Sequence, residues 1–481
     1  MKFETIIGLE IHAELKTKTK IFCSCSTKFG SKPNENTCPI CLGLPGTLPA
    51  INEEVINLAV KAGTALNCKI NKLNKMDRKN YFYPDLPKAY QVSQFDLPIC
   101  ENGYIEIDAN GKTKKIRLNR IHIEEDAGKL IHAENEPYTL IDYNRAGIPL
   151  IEIVTEPDLR SAEEAVAFLR SLKEILEYCD ISDCKMAEGS LRCDVNISLR
   201  EEGSNRLNTK VEIKNLNSFK ELQKALEQEE ERQRELYNLG EGHKIIQETR
   251  RYDSSRGETV PMRSKEDAND YRYFQEPDII PLAIRDEIIE KAKKTIPELP
   301  KEKRERFRTD YKLGEKEIDI LVGDRGLARY YEELVAMGSK AKTACNWLLS
   351  DISRLINEKK LTIDEFPVRP DRMHELLDFV ESGKINNTAA KEVLEEMVNN
   401  LSEKTPEEII KEKGLIQESS VEKIKPIVEK VLKDHAKVVE EYKNGKKQVK
   451  GFLVGMVIKA TEKKANPRVI NEILDGILEK I

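Results

Sequence analysis

Gly8-Leu9-Glu10-Ile11-His12-Ala13-Glu14-Leu15 alternates apolar and polar residues without a break. Successive side chains of a strand point to opposite faces, so Leu9, Ile11, Ala13 and Leu15 share one side. Glu10, His12 and Glu14 share the other. The same period returns at residues 120–126, where Ile121 and Ile123 form the apolar face, His122 and Glu124 stand opposite, and Glu125 lies at the exit. At 191–198 one face carries Arg192, Asp194, Asn196 and Ser198, and at 209–214 it carries Lys210, Glu212 and Lys214. Glu152 interrupts the apolar run 148–154, where a buried carboxylate is costly without a cation or hydrogen-bond donor.

Working outward, strands are expected at 4–15, 104–108, 114–123, 139–142, 148–154, 191–199 and 209–214. Helical periodicity occupies 52–66, 161–178 and 218–239. Ser161 with Glu164 three residues on has the form of a capping box. Strands interrupted by a few helices predict an α+β domain with a largely antiparallel sheet. Pro277, Pro281, Pro297 and Pro300 then punctuate the chain. Beyond them the pattern turns helical, at 301–312, 315–336, 340–358, 371–381, 387–400, 406–413, 421–443 and 447–461. Thr405-Pro406-Glu407-Glu408 supplies a cap, a first-turn proline and a capping glutamate, and Ser419 with Glu422 repeats the box. The predicted organisation is a domain at 1–292 followed by two small all-α domains at 293–402 and 403–481.

A chain of 481 residues exceeds one ordinary core. Its 39% hydrophobic and 34% charged residues fit a soluble, helix-rich protein. No run approaches the ~20 apolar residues of a membrane span, and the N-terminus reads as a strand rather than a secretory signal. Ten cysteines, four clustered and six scattered, fit reduced thiols plus one metal site in a cytoplasmic protein. Cys23, Cys25, Cys38 and Cys41 form two tight pairs around a loop rich in turn residues. Four thiolates in such a clip suit a structural zinc and leave no open ligand position.

The carboxylates of the polar strand faces could hold a divalent cation, and their lysines and arginines could hold phosphate groups. The wet face of an ordinary antiparallel sheet has much the same composition. Between residues 77 and 88, Lys79, Tyr81, Tyr83 and Lys88 place aromatic rings between basic groups, which suits base stacking or a packed loop equally. Lys443, Lys446, Lys447, Lys450, Lys459, Lys463 and Lys464 are opposed only by Glu462. With a net charge of −6 for the chain, the plain reading of that patch is a solvated face.

Longer stretches carry a resemblance: GLEIHAEL at 8–15, TCPICLGLPGTLP at 37–49, DRKNYFYPDLPK at 77–88, IHIEEDAGKLIH at 121–132 and DYNRAGIPLIEIVTEPD at 142–158. EGSLRCDVNIS at 188–198, TKVEIKNLNSF at 209–219, MRSKEDANDYRYF at 262–274 and GFLVGMVIKAT at 451–461 extend it almost to the C-terminus. In these the chain resembles the B-subunit family of the tRNA-dependent amidotransferase, the GatCAB complex. The resemblance implies a heterotrimer with a glutaminase A subunit and a small C subunit. It implies an N-terminal cradle domain that uses ATP and Mg²⁺ to phosphorylate the side chain of mischarged Glu-tRNA(Gln) or Asp-tRNA(Asn), and that amidates it with channelled ammonia.

On that resemblance, His12, Glu125 and Glu152 are the first magnesium ligands expected, with Glu10 and Glu124 behind them. Arg192, Lys210 and Lys214 are expected at the ATP phosphates, with Lys79 and Tyr81 also on the nucleotide. Glu125, Lys88 and Arg192 are expected in catalysis, Lys88 by guarding the ammonia exit against an acidic partner. Lys446, Lys447, Lys450, Lys459, Lys463 and Lys464 become a tRNA-binding surface. Many of these relatives have glycine where this chain has Ala89, which weakens any argument requiring an unusual backbone angle there. Zinc counts as structural, because many of them lack some of the four cysteines. A non-catalytic tRNA-binding scaffold is the competing reading. An archaeal-type subunit would need an inserted synthetase-like domain, for which the chain has no room.

Overall fold

The computed structural model describes residues 2–132, 137–262, 270–399, 404–418, 420–461 and 465–479. The chain forms two compact units, Met1–Glu302 and Lys303–Ile481.

Nine strands make the main sheet of the first unit: β1 (Phe3–Glu14), β2 (Lys69–Ile70), β3 (Cys100–Ala109), β4 (Lys112–Glu125), β5 (Pro149–Thr155), β6 (Leu191–Glu201), β7 (Val211–Lys214), β8 (Thr249–Asp253) and β9 (Glu258–Pro261). Their order is β9-β8-β7-β6-β1-β5-β4-β3-β2. Every neighbouring pair is antiparallel except β7 with β8. The α+β fold with a largely antiparallel sheet therefore stands. The short strands β2, β8 and β9 carry too few alternations to be seen in the sequence.

Burial follows the alternation. Leu9, Ile11 and Ala13 of β1, Ile121 and Ile123 of β4, Ile151 and Ile153 of β5 and Val195 and Ile197 of β6 belong to one continuous core. Helices α1 (Ala162–Tyr178) and α2 (Phe219–Asn238) cover that side with Phe168, Leu169, Leu172, Leu222 and Leu226. With one face sealed by helices, the other is left to the polar side chains.

Local signals set the helix ends. Ser161 accepts a hydrogen bond from the Glu164 N–H, but the Glu164 carboxylate takes the N–H of Arg160 instead of closing the box. The second unit is helical. Its predicted segment 315–336 is two helices, Glu315–Gly323 and Arg325–Ala336. Segment 421–443 is likewise Val421–Asp434 and Ala436–Lys443. The box at Thr405 and Glu408 closes in both directions. Ser419 and the expected boundary at residue 402 lie outside the described residues. Two helices escape the periodicity reading: Asp286–Thr295, hidden among the prolines, and Pro467–Leu478. Among the described residues no helix is long and apolar enough to cross a membrane.

Candidate functional site

Strand register builds the site. On the open face, His12 of β1 sits opposite Glu152 of β5, which sits opposite His122 of β4, and on its other side His12 faces Arg192 of β6. Residues directly opposite in an antiparallel pair share a face, so four neighbouring strands deliver one row of ionisable groups. Glu124, two residues beyond His122, joins it. His12 Nε2 lies 3.2 Å from Glu124 Oε1 and 3.4 Å from Glu152 Oε2. His122 Nε2 lies 3.1 Å from Glu152 Oε2 and 3.8 Å from Glu124 Oε2. Two imidazoles and two carboxylates thus alternate around a square.

Burial opposes charge on every corner, and the neighbours override it. Desolvation works against the His12 imidazolium, yet hydrogen bonds to Glu124 and Glu152 raise its pKa to about 10. His122 is raised against the same penalty, chiefly by the charge of Glu152. Glu124 falls to about 2 despite its burial, chiefly because His12 donates to it, and Glu152 is lowered against the same penalty chiefly by the charge of His122. One atom each of His12, Glu124 and Glu152 falls within 4.8 Å of the others, so these three can hold a metal ion. Replacing two imidazolium protons by one divalent cation would leave the charge of the square unchanged, so the donors fit such an ion. The trio differs from expectation at one position, because Glu124 and not Glu125 is the third member.

Glu125, next along β4, turns away from this trio. Lys88 Nζ meets its two oxygens at 2.5 and 2.6 Å, and the Val92 N–H donates to it at 2.9 Å. The pair lines a cavity of about 240 Å³ together with Lys20, Phe22, Cys41, Gly43 and Tyr90. Ala89 adopts φ 63, so the unusual backbone angle is present although alanine occupies the position.

Of the remaining expected residues, Arg192, Lys214 and Glu10 lie on the same sheet, whereas Lys79 belongs to a separate three-stranded sheet. Arg192 pairs with Asp126 at 3.0 Å. Lys214 bonds Asp194 at 2.9 Å and Glu212 at 3.0 Å, and their charges hold its pKa up against burial. Glu10 accepts from Asn196. Lys210 is exposed, ahead of β7. Lys79 sits 5.9 Å from the Tyr81 ring centroid and 5.0 Å from that of Tyr271, and Tyr271 meets Tyr273 edge-on. His122, Asp126 and the tyrosines at 271 and 273 are the members the sequence reading missed. His122 could have been found, since it shares a strand face with Glu124. Tyr271 and Tyr273 arrive from almost two hundred residues away, and only the family resemblance over 262–274 marked their stretch.

The cysteines converge as their spacing implied: one sulfur each of Cys23, Cys25, Cys38 and Cys41 lies within 4.8 Å of the others. The Cys38 N–H donates to Cys41 Sγ at 3.1 Å. A hydrogen bond from Cys23 pulls the Cys41 thiol down to about 4, against burial, with the Cys38 N–H and nearby Lys20 helping. The group can hold a metal ion such as zinc.

In the second unit the helix Lys450–Ala460 buries Leu453 and Val457 and exposes Gly451, Phe452, Gly455 and Lys459. Lys446 pairs with Glu441 and Lys450 with Asp475. Lys447 is exposed. Lys463 and Lys464 lie outside the described residues.

The square of histidine and glutamate on the open face of the sheet lies within the residues that a catalytic-domain family model matches. The family model described as the GatB/GatE catalytic domain matches residues 5–290, and that described as the GatB domain matches 329–478. The chain belongs to this family. It is 61% identical over 480 residues to the second of the B subunits of aspartyl/glutamyl-tRNA(Asn/Gln) amidotransferase in Clostridium acetobutylicum, covering 100% of both chains. It is 60% identical to the corresponding B subunit of Clostridium beijerinckii and 54% identical to that of Thermoanaerobacter pseudethanolicus, again over 100% of each chain.

Proposed function

We propose that this chain is the amidating subunit of a tRNA-dependent amidotransferase. It would activate the side-chain carboxylate of Glu-tRNA(Gln) or Asp-tRNA(Asn) with ATP and convert it to the amide, within a cytoplasmic heterotrimer containing the glutaminase A subunit and a C subunit. The observation that carries this reading is the His12–Glu124–His122–Glu152 square, with Arg192 beside it. A carboxylate is a poor acyl donor, and its phosphorylation needs positioning and charge neutralisation more than a protein nucleophile. His12, Glu124 and Glu152 would hold Mg²⁺, with Glu125 within one strand position and Glu10 behind. Bound Mg²⁺ and ATP supply the phosphoryl group and neutralise its charge.

The chain's own groups do the rest. Arg192 and Lys214 present cations toward phosphate along the open face, and Lys210 extends them. Lys79, Tyr81 and Tyr271 offer a cationic, aromatic surface suited to stacking a base. Glu124 and Glu125 are sequence neighbours facing different surroundings, so the cavity against Glu125 and the square are separated by the thickness of one strand. Ammonia reaching that cavity would meet the Lys88–Glu125 pair before the activated carboxyl. The C–N bond then forms as the bond to phosphate breaks, and the nitrogen sheds a proton on the Glu125 side.

Zinc in the cysteine clip would be structural. We further propose that residues 403–481 form a tail domain that meets tRNA, separate from a middle domain at 293–402. Gly451 and Gly455 have open space above them and lie on one helix face with Lys459, so a phosphate backbone could approach closely.

The test uses the chain co-expressed with its A and C partners. End-labelled Glu-tRNA(Gln), ATP, magnesium and ammonium chloride in place of glutamine isolate the activation and transfer steps. Wild type should form Gln-tRNA(Gln), whereas Glu125→Ala and Glu152→Gln should lose conversion and keep tRNA binding. Equal conversion by all three would favour a non-catalytic scaffold.

A further inference from the structure

Lys20 is fully buried, with 0% exposure. Its ammonium donates to the Asn36 carbonyl at 2.8 Å and the Tyr143 carbonyl at 3.2 Å, and lies 3.7 Å from Cys41 Sγ. Among the described residues no ion pair joins it to a carboxylate. A buried cation without an anion is strongly disfavoured. Four thiolates around one divalent cation carry two net negative charges, which is the missing partner.

The contacts of Lys20 also run in two directions. Asn36 and Cys41 belong to the cysteine loop. Tyr143 begins the turn that ends at Gly147, whose N–H donates to Asp126 and whose carbonyl accepts from Ile21. A Cβ on Gly147 would lie 3.6 Å from Lys20 Cδ, 3.8 Å from Cys41 Cβ and 3.9 Å from Glu125 Oε2. From the other side of the loop, Gly43 packs so closely on Lys88 that a Cβ would fall 2.4 Å from Lys88 Cγ. Lys88 thus packs against Gly43 of the cysteine loop, and Glu125 lies close to Gly147, at the end of the turn whose Tyr143 carbonyl Lys20 holds.

We propose that Lys20 is the countercharge of a four-thiolate zinc centre and braces that centre against the Lys88–Glu125 pair. Lys20 is thus a positioning residue, and metal in the clip sets how firmly Lys88 is seated. This role depends on metal in the cysteine loop, not on the amidation reading.

The test compares full-length wild type with Lys20→Met and Lys20→Gln, the second keeping an N–H donor without the charge. Zinc affinity is measured by competition with a chromophoric chelator, and the cobalt-substituted proteins are examined by absorption. Both neutral variants should bind zinc about 10–100-fold more weakly, the usual range for loss of an outer-shell partner. Their sulfur-to-cobalt charge-transfer band should move to longer wavelength, because a thiolate relieved of a nearby cation gives up its electron more readily. In wild type, removing zinc should raise the acylation of Lys88 by an amine-reactive ester, and returning zinc before the ester is added should restore its protection. Unchanged affinity and an unmoved band in Lys20→Gln would overturn the proposal. So would Lys88 labelling indifferent to zinc, a wild type that binds none, or a Lys20→Gln chain unfolded even in saturating zinc.

Discussion

Lys88 and Glu125 form a two-pronged ion pair, Nζ to both carboxylate oxygens at 2.5 and 2.6 Å, with side chains only 13% and 6% exposed. Removing one partner of such a pair strands the other, which costs more than the pair contributes. Lys88→Met should leave Glu125 with the Val92 N–H as its remaining donor and lower stability by about 3 kcal/mol. Amide exchange over residues 77–93 and 120–126 would register the loss. A variant with wild-type protection there would mean that the pair is not held in solution.

Ala89, the next residue, adopts φ 63, where its Cβ crowds the following carbonyl. That conformation costs an L-residue about 1–2 kcal/mol, part of which a glycine would give back as unfolded-state freedom. Ala89→Gly should therefore raise stability by about 0.5–1 kcal/mol. A lower melting temperature for Ala89→Gly would show that alanine is comfortable there.

His12 predicts a pH-dependent contest between proton and metal. Its pKa rises from 6.5 to about 10 in the folded chain, so the imidazolium contributes stability fully below the lower value and loses it as pH climbs through the upper. At neutral pH the proton is in place, and a divalent cation taking His12 Nε2 must expel it. Manganese affinity should accordingly rise between about pH 7 and 9, with proton release seen calorimetrically in buffers of different ionisation enthalpy. Binding without proton release would remove His12 from the ligand set.

The sheet was legible because β1, β4, β5 and β6 alternate cleanly, and alternation alone sorts Leu9, Ile11, Ile121, Ile123, Ile151 and Ile153 from the polar row. The cysteine clip was legible because its ligands are close in sequence. What alternation cannot supply is register. Nothing in the residues themselves says that His12 faces Glu152, or that Glu125 turns to a lysine in another loop while Glu124 joins the square. Lys20 was illegible for a related reason: a lysine beside Ile21 and Phe22 reads as surface, and only long-range folding brings Tyr143 and Cys41 to its ammonium. Helix Asp286–Thr295 was lost among prolines that flank it without entering it.

The tail lysines divide by their surroundings. Lys450 is committed to Asp475 at 2.6 Å and Lys446 to Glu441 at 3.3 Å, whereas Lys447 and Lys459 are exposed. Each lysine withdrawn from a phosphate should reduce the salt dependence of tRNA binding by about 0.7–0.9 in logarithmic slope. Lys447→Ala and Lys459→Ala should each show such a drop, and Lys446→Ala a smaller one. Slopes unchanged in all three would place the RNA elsewhere.

Gly43 offers the sharpest test of how the cysteine loop meets the ion pair. Its φ of +65 already disfavours a side chain, and an added Cβ would stand 2.4 Å from Lys88 Cγ and 3.3 Å from Lys88 Cβ. Those atoms lie at the root of the lysine, so it cannot swing its far end aside, and either the loop or Lys88 must move. The loop is tied at Cys38 and Cys41, whereas Lys88 is held mainly by Glu125. Gly43→Ala should therefore unseat Lys88: zinc supplied to the cysteine loop binds as in wild type, Lys88 becomes readily acylated, and ammonium-dependent amidation by the complex falls at least tenfold. Zinc loss with Lys88 still protected would mean that the loop gives way first, and that the ion pair is the stiffer of the two.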